Sequence, residues 1–127
     1  MQGRSEKQEL VNSFLRELNQ ASPGDPVLDD LAPENRGRVT SPVLLKSRQP
    51  VYPETLRLER KQGQVLVGAV IERDGSVGET RVLLSSGETA FDLAAVDAVR
   101  GRLFRPSTLN GSPVRIVLVA TVSFNLQ

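Results

Sequence analysis

The chain has 127 residues, with 16 Lys and Arg against 15 Asp and Glu and 39% hydrophobic residues, and it contains no His and no Cys. These values suit a single folded domain with an appendage. They exclude imidazole acid–base chemistry, cysteine nucleophiles, disulfides, and thiolate or imidazole metal sites. The sequence therefore predicts no enzyme, no catalytic residue, no metal site and no cofactor. With four Phe and one Tyr, nucleic-acid binding is not expected either.

Residues 1–21 are predicted to form an N-terminal amphipathic helix. Ser5 and Gln8 have the spacing of a capping box, in which two side chains satisfy the first backbone N–H groups of a helix. Apolar residues then recur at helical spacing, at Leu10, Val11, Phe14, Leu15 and Leu18. This stripe is compatible with packing on the rest of the chain, with pairing between two copies, and with a tether.

Residues 22–42 are rich in proline and show no regular hydrophobic period, which is typical of an extended linker. Val27, Leu28 and Leu31 are the apolar residues here that could make a local contact. The neighbouring carboxylates of Asp29 and Asp30 are more typical of a solvated turn than of an acid–base pair.

Residues 43–127 carry the pattern of one α+β domain. A short helix is expected from Pro53 to about Lys61, followed by a hairpin of residues 65–71 and 77–85 whose turn is Asp74-Gly75. A helix over residues 90–100 is expected to be capped by Thr89 and mostly buried. A long strand over residues 114–125 ends the chain, with alternate apolar positions on one face.

This element order predicts a three-stranded antiparallel sheet in the order 2-1-3, with helices packed on one face, preceded by the N-terminal helix and the Pro-rich linker. The last strand is then an edge strand. An edge with unpaired N–H and C=O groups is a template for an added strand. The N-terminal segment or a second copy of the chain could equally cover it.

Several short motifs in residues 43–127 resemble, in order and spacing, the C-terminal domain of the TonB family. The motifs are Gln49-Pro50-Val51-Tyr52-Pro53, Gln62-Gly63-Gln64-Val65, Asp74-Gly75-Ser76-Val77, Val82-Leu83-Leu84-Ser85-Ser86-Gly87, Phe91-Asp92, Phe104-Arg105-Pro106 and Asn110-Gly111-Ser112-Pro113-Val114.

The resemblance implies a periplasmic module of an energy transducer that is tethered to the inner membrane in its full-length parent. Such a module binds a short segment of an outer-membrane transporter, the TonB box, as a strand added to its last strand. It transmits force from an inner-membrane motor of the ExbB/ExbD type if the parent is anchored. The partner-binding residues implied for this chain are Gln49, Pro50, Val51, Tyr52, Arg115, Val117, Val119, Thr121, Ser123 and Asn125.

Two alternatives stay open at the level of sequence. Tyr52 could be a packing aromatic or a contact residue, since it lies between two prolines, Pro50 and Pro53, just before a helix. The chain could also be a self-associating envelope scaffold, in which the last strand or the N-terminal helix forms a homodimer and no receptor peptide binds.

Overall fold

A computed structural model describes residues 5–126 of the chain. Across these described residues, three α-helices and eight strands follow one another, with one 3-10 turn at Pro33–Asn35. The helices are α1 (Glu6–Ala21), α2 (Glu54–Leu58) and α3 (Thr89–Arg100); the strands are β1 (Val27–Leu28), β2 (Val43–Lys46), β3 (Gly63–Ile71), β4 (Val77–Leu84), β5 (Leu103–Arg105), β6 (Thr108–Leu109), β7 (Ser112–Pro113) and β8 (Arg115–Phe124). Within this part of the chain, no helix is both long and apolar enough to cross a membrane.

The main sheet has four strands in the order β1-β8-β3-β4. Its three long strands are antiparallel and have the predicted order, with β3 paired to β4 on one side and to β8 on the other. The three-stranded prediction is incomplete, because β1 adds a short parallel strand beside the first two residues of β8. The predicted linker thus contributes a strand to the sheet.

One face of the sheet packs against α2 and α3. Alternate residues of β3 and β8 point to this face because side chains alternate along a strand, and they meet one side of α3. The rings of Phe91 and Phe124 stack with their centroids 4.6 Å apart. The helix is amphipathic rather than mostly buried as predicted, since Leu93 on its outer side is 66% exposed.

The opposite face of the sheet is covered by α1, whereas the two helices of the domain, α2 and α3, share one face as predicted. Phe14 is fully buried between α1 and the sheet. A Cβ placed on Gly68 of β3 would lie 2.9 Å from the Phe14 ring, so the glycine leaves the space that the ring fills. The guanidinium carbon of Arg81 lies 4.9 Å from the centroid of the same ring, and the Arg81 side chain forms a 2.7 Å ion pair with Glu17 of α1. The apolar stripe therefore packs on the chain's own sheet.

Residues 22–42 do not form an extended linker. Val27 and Val39 are buried, Val39 forms a bridge with Leu109, and the 3-10 turn lies between them. These contacts outweigh the proline-rich composition, because each buried valine removes apolar surface from water. The segment is packed against the domain at both of its buried valines.

The caps of the helices differ in part from the expected ones. The Ser5 hydroxyl accepts a 3.1 Å hydrogen bond from the backbone N–H of Gln8, as a capping box requires, but the Gln8 side chain donates to Asn12 instead. Thr89 does not cap α3, because it is already helical and the cap position is held by Glu88 without a side-chain bond.

Candidate functional site

The first two residues of β8 are closed on their outer side by β1. Val27 lies opposite Arg115 and Leu28 lies opposite Ile116 in a parallel pair. The Asn19 side chain of α1 forms hydrogen bonds with both backbone groups of Val27. It donates to the Val27 carbonyl at 3.1 Å and accepts from the Val27 N–H at 2.7 Å. Leu28 is consequently the residue whose backbone groups face β8.

This pairing fixes which residues of β8 point their backbone groups outward. In a parallel pair, a residue whose backbone groups point toward the adjacent strand does not bond to the residue opposite it; it bonds to the residues just before and just after that one. Leu28 therefore bonds to Arg115 and Val117, and the odd-numbered residues of β8 face away from β3. At the other end of the strand, the N–H of even-numbered Leu126 turns to the β3 side and donates to the Gln62 side chain at 2.6 Å, in agreement with this alternation.

Beyond Val117, the outer side of β8 has no strand beside it among the described residues. We call the outer side of residues 119–125 the open edge. Val119, Thr121 and Ser123 direct their N–H and C=O groups into it, and the side chains of Thr121 and Ser123 are exposed. An unpaired row of this kind can accept a strand of another chain through backbone bonds alone.

Arg115 lies in the closed part of the edge, and its side chain is held by acidic partners. Its Nε donates to Glu72 at 2.8 Å, and its Nη1 donates to the carbonyl of Asp25 at 2.7 Å. Asp25 also accepts a 2.6 Å hydrogen bond from Arg73, which is the main reason that the pKa of the Asp25 carboxyl lies below its ordinary value. The prediction that the edge is open from Arg115 onward is wrong at Arg115 and at Val117, because β1 pairs with the start of β8 and Leu28 bonds to both residues.

The residues that precede α2 lie near the far end of β8. The Tyr52 ring contacts Phe91 and Phe124 edge-on at centroid distances of 5.6 and 5.7 Å, and its hydroxyl donates to the carbonyl of Lys61. Tyr52 is thus a packing residue. Val51 beside it is 72% exposed, Gln49 is also exposed and Pro50 is half-buried. The structure therefore leaves two exposed side chains, those of Gln49 and Val51, next to a ring that is fixed against β8.

A pocket of about 510 Å³ opens at the place where β1 stops and the open edge begins. We call it the edge pocket. Its apolar lining comes from α1, the segment after β1, the residue before β2, and β8. The lining residues are Ser5, Lys7, Gln8, Val11, Asp29, Asp30, Leu31, Pro42, Ile116, Val117, Leu118 and Val119. Burial raises the pKa of the Asp30 carboxyl above its ordinary value, although a hydrogen bond with Ser41 opposes the rise.

Sequence reasoning missed three residues that shape this edge: Asn19, Gly68 and Val27. Asn19 is one polar residue among many on a helix, and no local pattern marks its two bonds to Val27. Gly68 stands inside an apolar strand, which is a signal of close approach by another group and could have indicated that Phe14 packs there. For Val27 the sequence indicates only a possible local contact.

Comparison with known proteins identifies the family. Residues 48–126 match the family model of the Gram-negative bacterial TonB protein C-terminal. The chain is 30% identical over 90 residues to the protein TonB of Vibrio cholerae, covering 70% of this chain and 37% of that protein. It is 37% identical over 79 residues to the protein TonB of Haemophilus influenzae, covering 60% and 27%. The chain thus spans well under half of these curated relatives.

A solved structure gives the same result for the fold. The solution NMR structure of the Pseudomonas aeruginosa TonB C-terminal domain superposes with a TM-score of 0.59 at 25% sequence identity, over 73% of this chain and 91% of that one. The match supports the α+β arrangement in which β8 is the last strand. Together with the family model, which covers well over half of the chain, it leads to one conclusion: the chain belongs to the TonB C-terminal domain family.

Proposed function

We propose that this chain is the periplasmic peptide-binding module of a TonB-type energy transducer. Its ligand is the TonB box of an outer-membrane transporter, which docks in extended form along the open edge and becomes a further strand of the sheet. The observation that carries the proposal is the outward row of backbone groups at Val119, Thr121 and Ser123, found in a chain of this family.

Backbone pairing explains how such a module would serve several transporters. Hydrogen bonds between main chains do not depend on the ligand's side chains, so affinity tolerates sequence change while alternate side chains set the register. Asn125 extends the row past the end of β8. Gln49, Pro50 and Val51 would add contacts at that end, with the fixed Tyr52 ring holding them in place. Arg115 is left out of the contact set, because β1 and its acidic partners already occupy it.

The same geometry suits the transmission of force. A strand that is pulled along its own axis loads its backbone hydrogen bonds together in shear. In a parent chain anchored in the inner membrane, a motor of the ExbB/ExbD type would supply the pull. We further propose that the chain acts as a binding module and not as an enzyme.

An NMR titration of the intact chain tests the proposal. Peptides that carry the TonB boxes of outer-membrane transporters from the same genome are added to the ¹⁵N-labelled protein. We expect the largest amide shifts at Val119, Thr121 and Ser123, with smaller ones at Gln49 and Val51. A peptide of the same sequence with proline at alternate positions, which removes backbone donors that strand pairing needs, is the control. Shifts confined to the β6–β7 turn, or equal shifts with the proline-containing peptide, would contradict the proposal.

Self-association is the competing outcome of the same experiment. A second copy could pair along the open edge, which would make the chain a homodimeric scaffold. Sedimentation of the protein across a range of concentrations separates the two cases. A dimer that excludes the peptides would overturn the proposed function in favour of the scaffold.

A further inference from the structure

The edge pocket lies directly beyond the end of β1, on the same side of β8. β1 pairs with Arg115 and Ile116 and then leaves the sheet at Asp29 and Asp30. The next positions in that row face Val117 and Val119, which line the pocket. A strand that docks on the open edge must therefore end at the pocket, because β1 blocks the row beyond it.

The direction of the side chains on β8 determines which residue of a docked peptide can enter the edge pocket. Val117 and Val119 point to the α1 face of the sheet, where both pack with the residues around Phe14. Directly opposite residues of paired strands project to the same face. The docked residue beside Val119 consequently projects its side chain toward α1, into the space between Val11 and Leu31.

The lining favours an apolar side chain. Val11 is buried and Leu31 is 77% exposed, so the pocket has an apolar floor and an apolar rim residue whose side chain is largely open to solvent. The Asp29 carboxylate accepts a 3.0 Å hydrogen bond from the Leu31 backbone N–H, which holds Leu31 at the rim. Asp29 and Asp30 together outweigh the one cationic residue of the lining, Lys7, so the pocket disfavours a docked residue that carries a carboxylate.

We infer that the edge pocket binds one large apolar side chain of the docked transporter peptide and so sets the register of the added strand. The inference rests on the proposed function and names the specificity site within it. The pocket volume of about 510 Å³ lies within the range of ligand-binding clefts, about 300–1,000 Å³. Backbone pairing alone would allow the peptide to slide by two residues, and one anchored side chain prevents this.

A double-mutant cycle between the protein and the peptide tests the inference. The probe is the transporter TonB-box peptide that binds the wild-type chain in the titration above, with each large apolar residue changed in turn to Ala. We expect Leu31→Ala to weaken binding about fivefold to tenfold, the loss expected for removal of one apolar contact. One peptide position should show the same loss on wild-type protein and almost none on Leu31→Ala.

Leu93→Ala is the matched control, since Leu93 is similarly exposed but lies on α3 outside the pocket. It should leave the affinity unchanged. Replacing the coupled peptide residue by Asp should weaken binding more than Ala does. Both variants remove an exposed side chain, so the fold is expected to survive in each.

The outcomes separate the inference from the proposed function. If the wild-type chain binds no peptide, both fall. If peptides bind along the open edge but Leu31→Ala has no effect, or no peptide position couples to it, the inference is wrong and the proposed function stands. If Leu31→Ala changes self-association and leaves peptide affinity intact, the pocket belongs to a contact between copies, which also overturns the inference.

Discussion

The outer side of β8 consists of two stretches that differ in what covers them. Beside Arg115 and Ile116, the backbone is paired with β1, and β1 is itself held by the Asn19 side chain. Beside residues 119–125, no strand of the described chain pairs with the same side. The two stretches share one strand and one neighbour, β3.

The difference shows that a segment of this chain pairs with β8 only where further contacts hold that segment in place. β1 is two residues long, and such a strand is not stable without other contacts. It remains in place because Val27 is buried and because Asp25, just before β1, forms a 3.4 Å ion pair with Arg115 of β8. The open stretch offers the same backbone groups without a built-in partner, so its occupant must come from elsewhere.

The largest expected effect comes from proline placed on alternate residues of β8. At Ala120 the N–H faces β3, opposite Val67, and Ala120→Pro should cost about 3 kcal/mol of the free energy of unfolding, the upper end of the cost of leaving a buried backbone acceptor unpaired. At Val119 the N–H faces the open edge, so Val119→Pro should destabilise the fold far less and abolish peptide binding. Urea unfolding and the peptide titration give the two readouts. Equal destabilisation by both variants would contradict the assigned alternation.

A smaller effect is expected where α1 meets the sheet. In Gly68→Ala the new Cβ would lie 2.9 Å from the buried Phe14 ring, and such overpacking costs about 1–3 kcal/mol. Since α1 carries Asn19, displacement of the helix should also release β1. Urea unfolding measures the first effect, and faster amide exchange at Leu28 reports the second. Gly24→Ala, where nothing lies within 4 Å of the added Cβ, is the control and should change neither.

Removal of the Asn19 side chain alone should release β1 without disturbing α1. Asn19→Ala leaves both backbone groups of the buried Val27 without their partners, at a cost of about 1–3 kcal/mol. The open edge would then extend back to Arg115. Amide exchange at Leu28 and Val117 should accelerate. Asn12→Ala removes an amide of the same helix that bonds to Gln8 and not to β1, and it should leave both rates unchanged, whereas equal effects of the two variants would refute the anchoring role.

The smallest expected effect is a pH dependence of the closed stretch. The pKa of Asp25 is lowered in the folded protein, chiefly by the hydrogen bond from Arg73 and against the effect of desolvation. Its contribution to stability is therefore present above the pKa of the unfolded chain and is lost as the pH falls through the lower folded value. Amide shifts of Leu28 should change on acidification in the wild type and not in Asp25→Asn.

Asp74→Asn is the matched control for that titration. The pKa of Asp74 is also lowered, mainly by hydrogen bonds from Ser76, but Asp74 lies in the turn between β3 and β4. Its replacement should remove a transition at the turn and leave the Leu28 titration intact. A Leu28 titration that persists in Asp25→Asn would show that another group controls β1.

The sequence was sufficient for features that depend on local patterns. The hairpin of β3 and β4, the helix α3 and the order of the three long strands follow from alternation, turn residues and connection handedness. The alternation along β8 also identified Thr121 and Ser123 as exposed residues of its polar face.

What the sequence could not show depends on contacts between distant residues. The linker prediction failed because burial of Val27 and Val39 outweighs the local effect of proline. The placement of α1 depends on the fit of Phe14 to Gly68, which lie 54 positions apart by their numbers in the chain. Which backbone groups of β8 face outward depends on its register with β3 and β1, and no pattern within β8 reveals it.

Residue-resolved amide hydrogen exchange along β8 tests the central claim most directly. In the free protein, the N–H groups of Val119, Thr121 and Ser123 should exchange rapidly, and those of Leu118, Ala120 and Val122 should be protected by β3. Addition of the transporter peptide should slow the first group selectively. Protection of all six residues in the free monomer would mean that the edge is already occupied, and it would contradict the account.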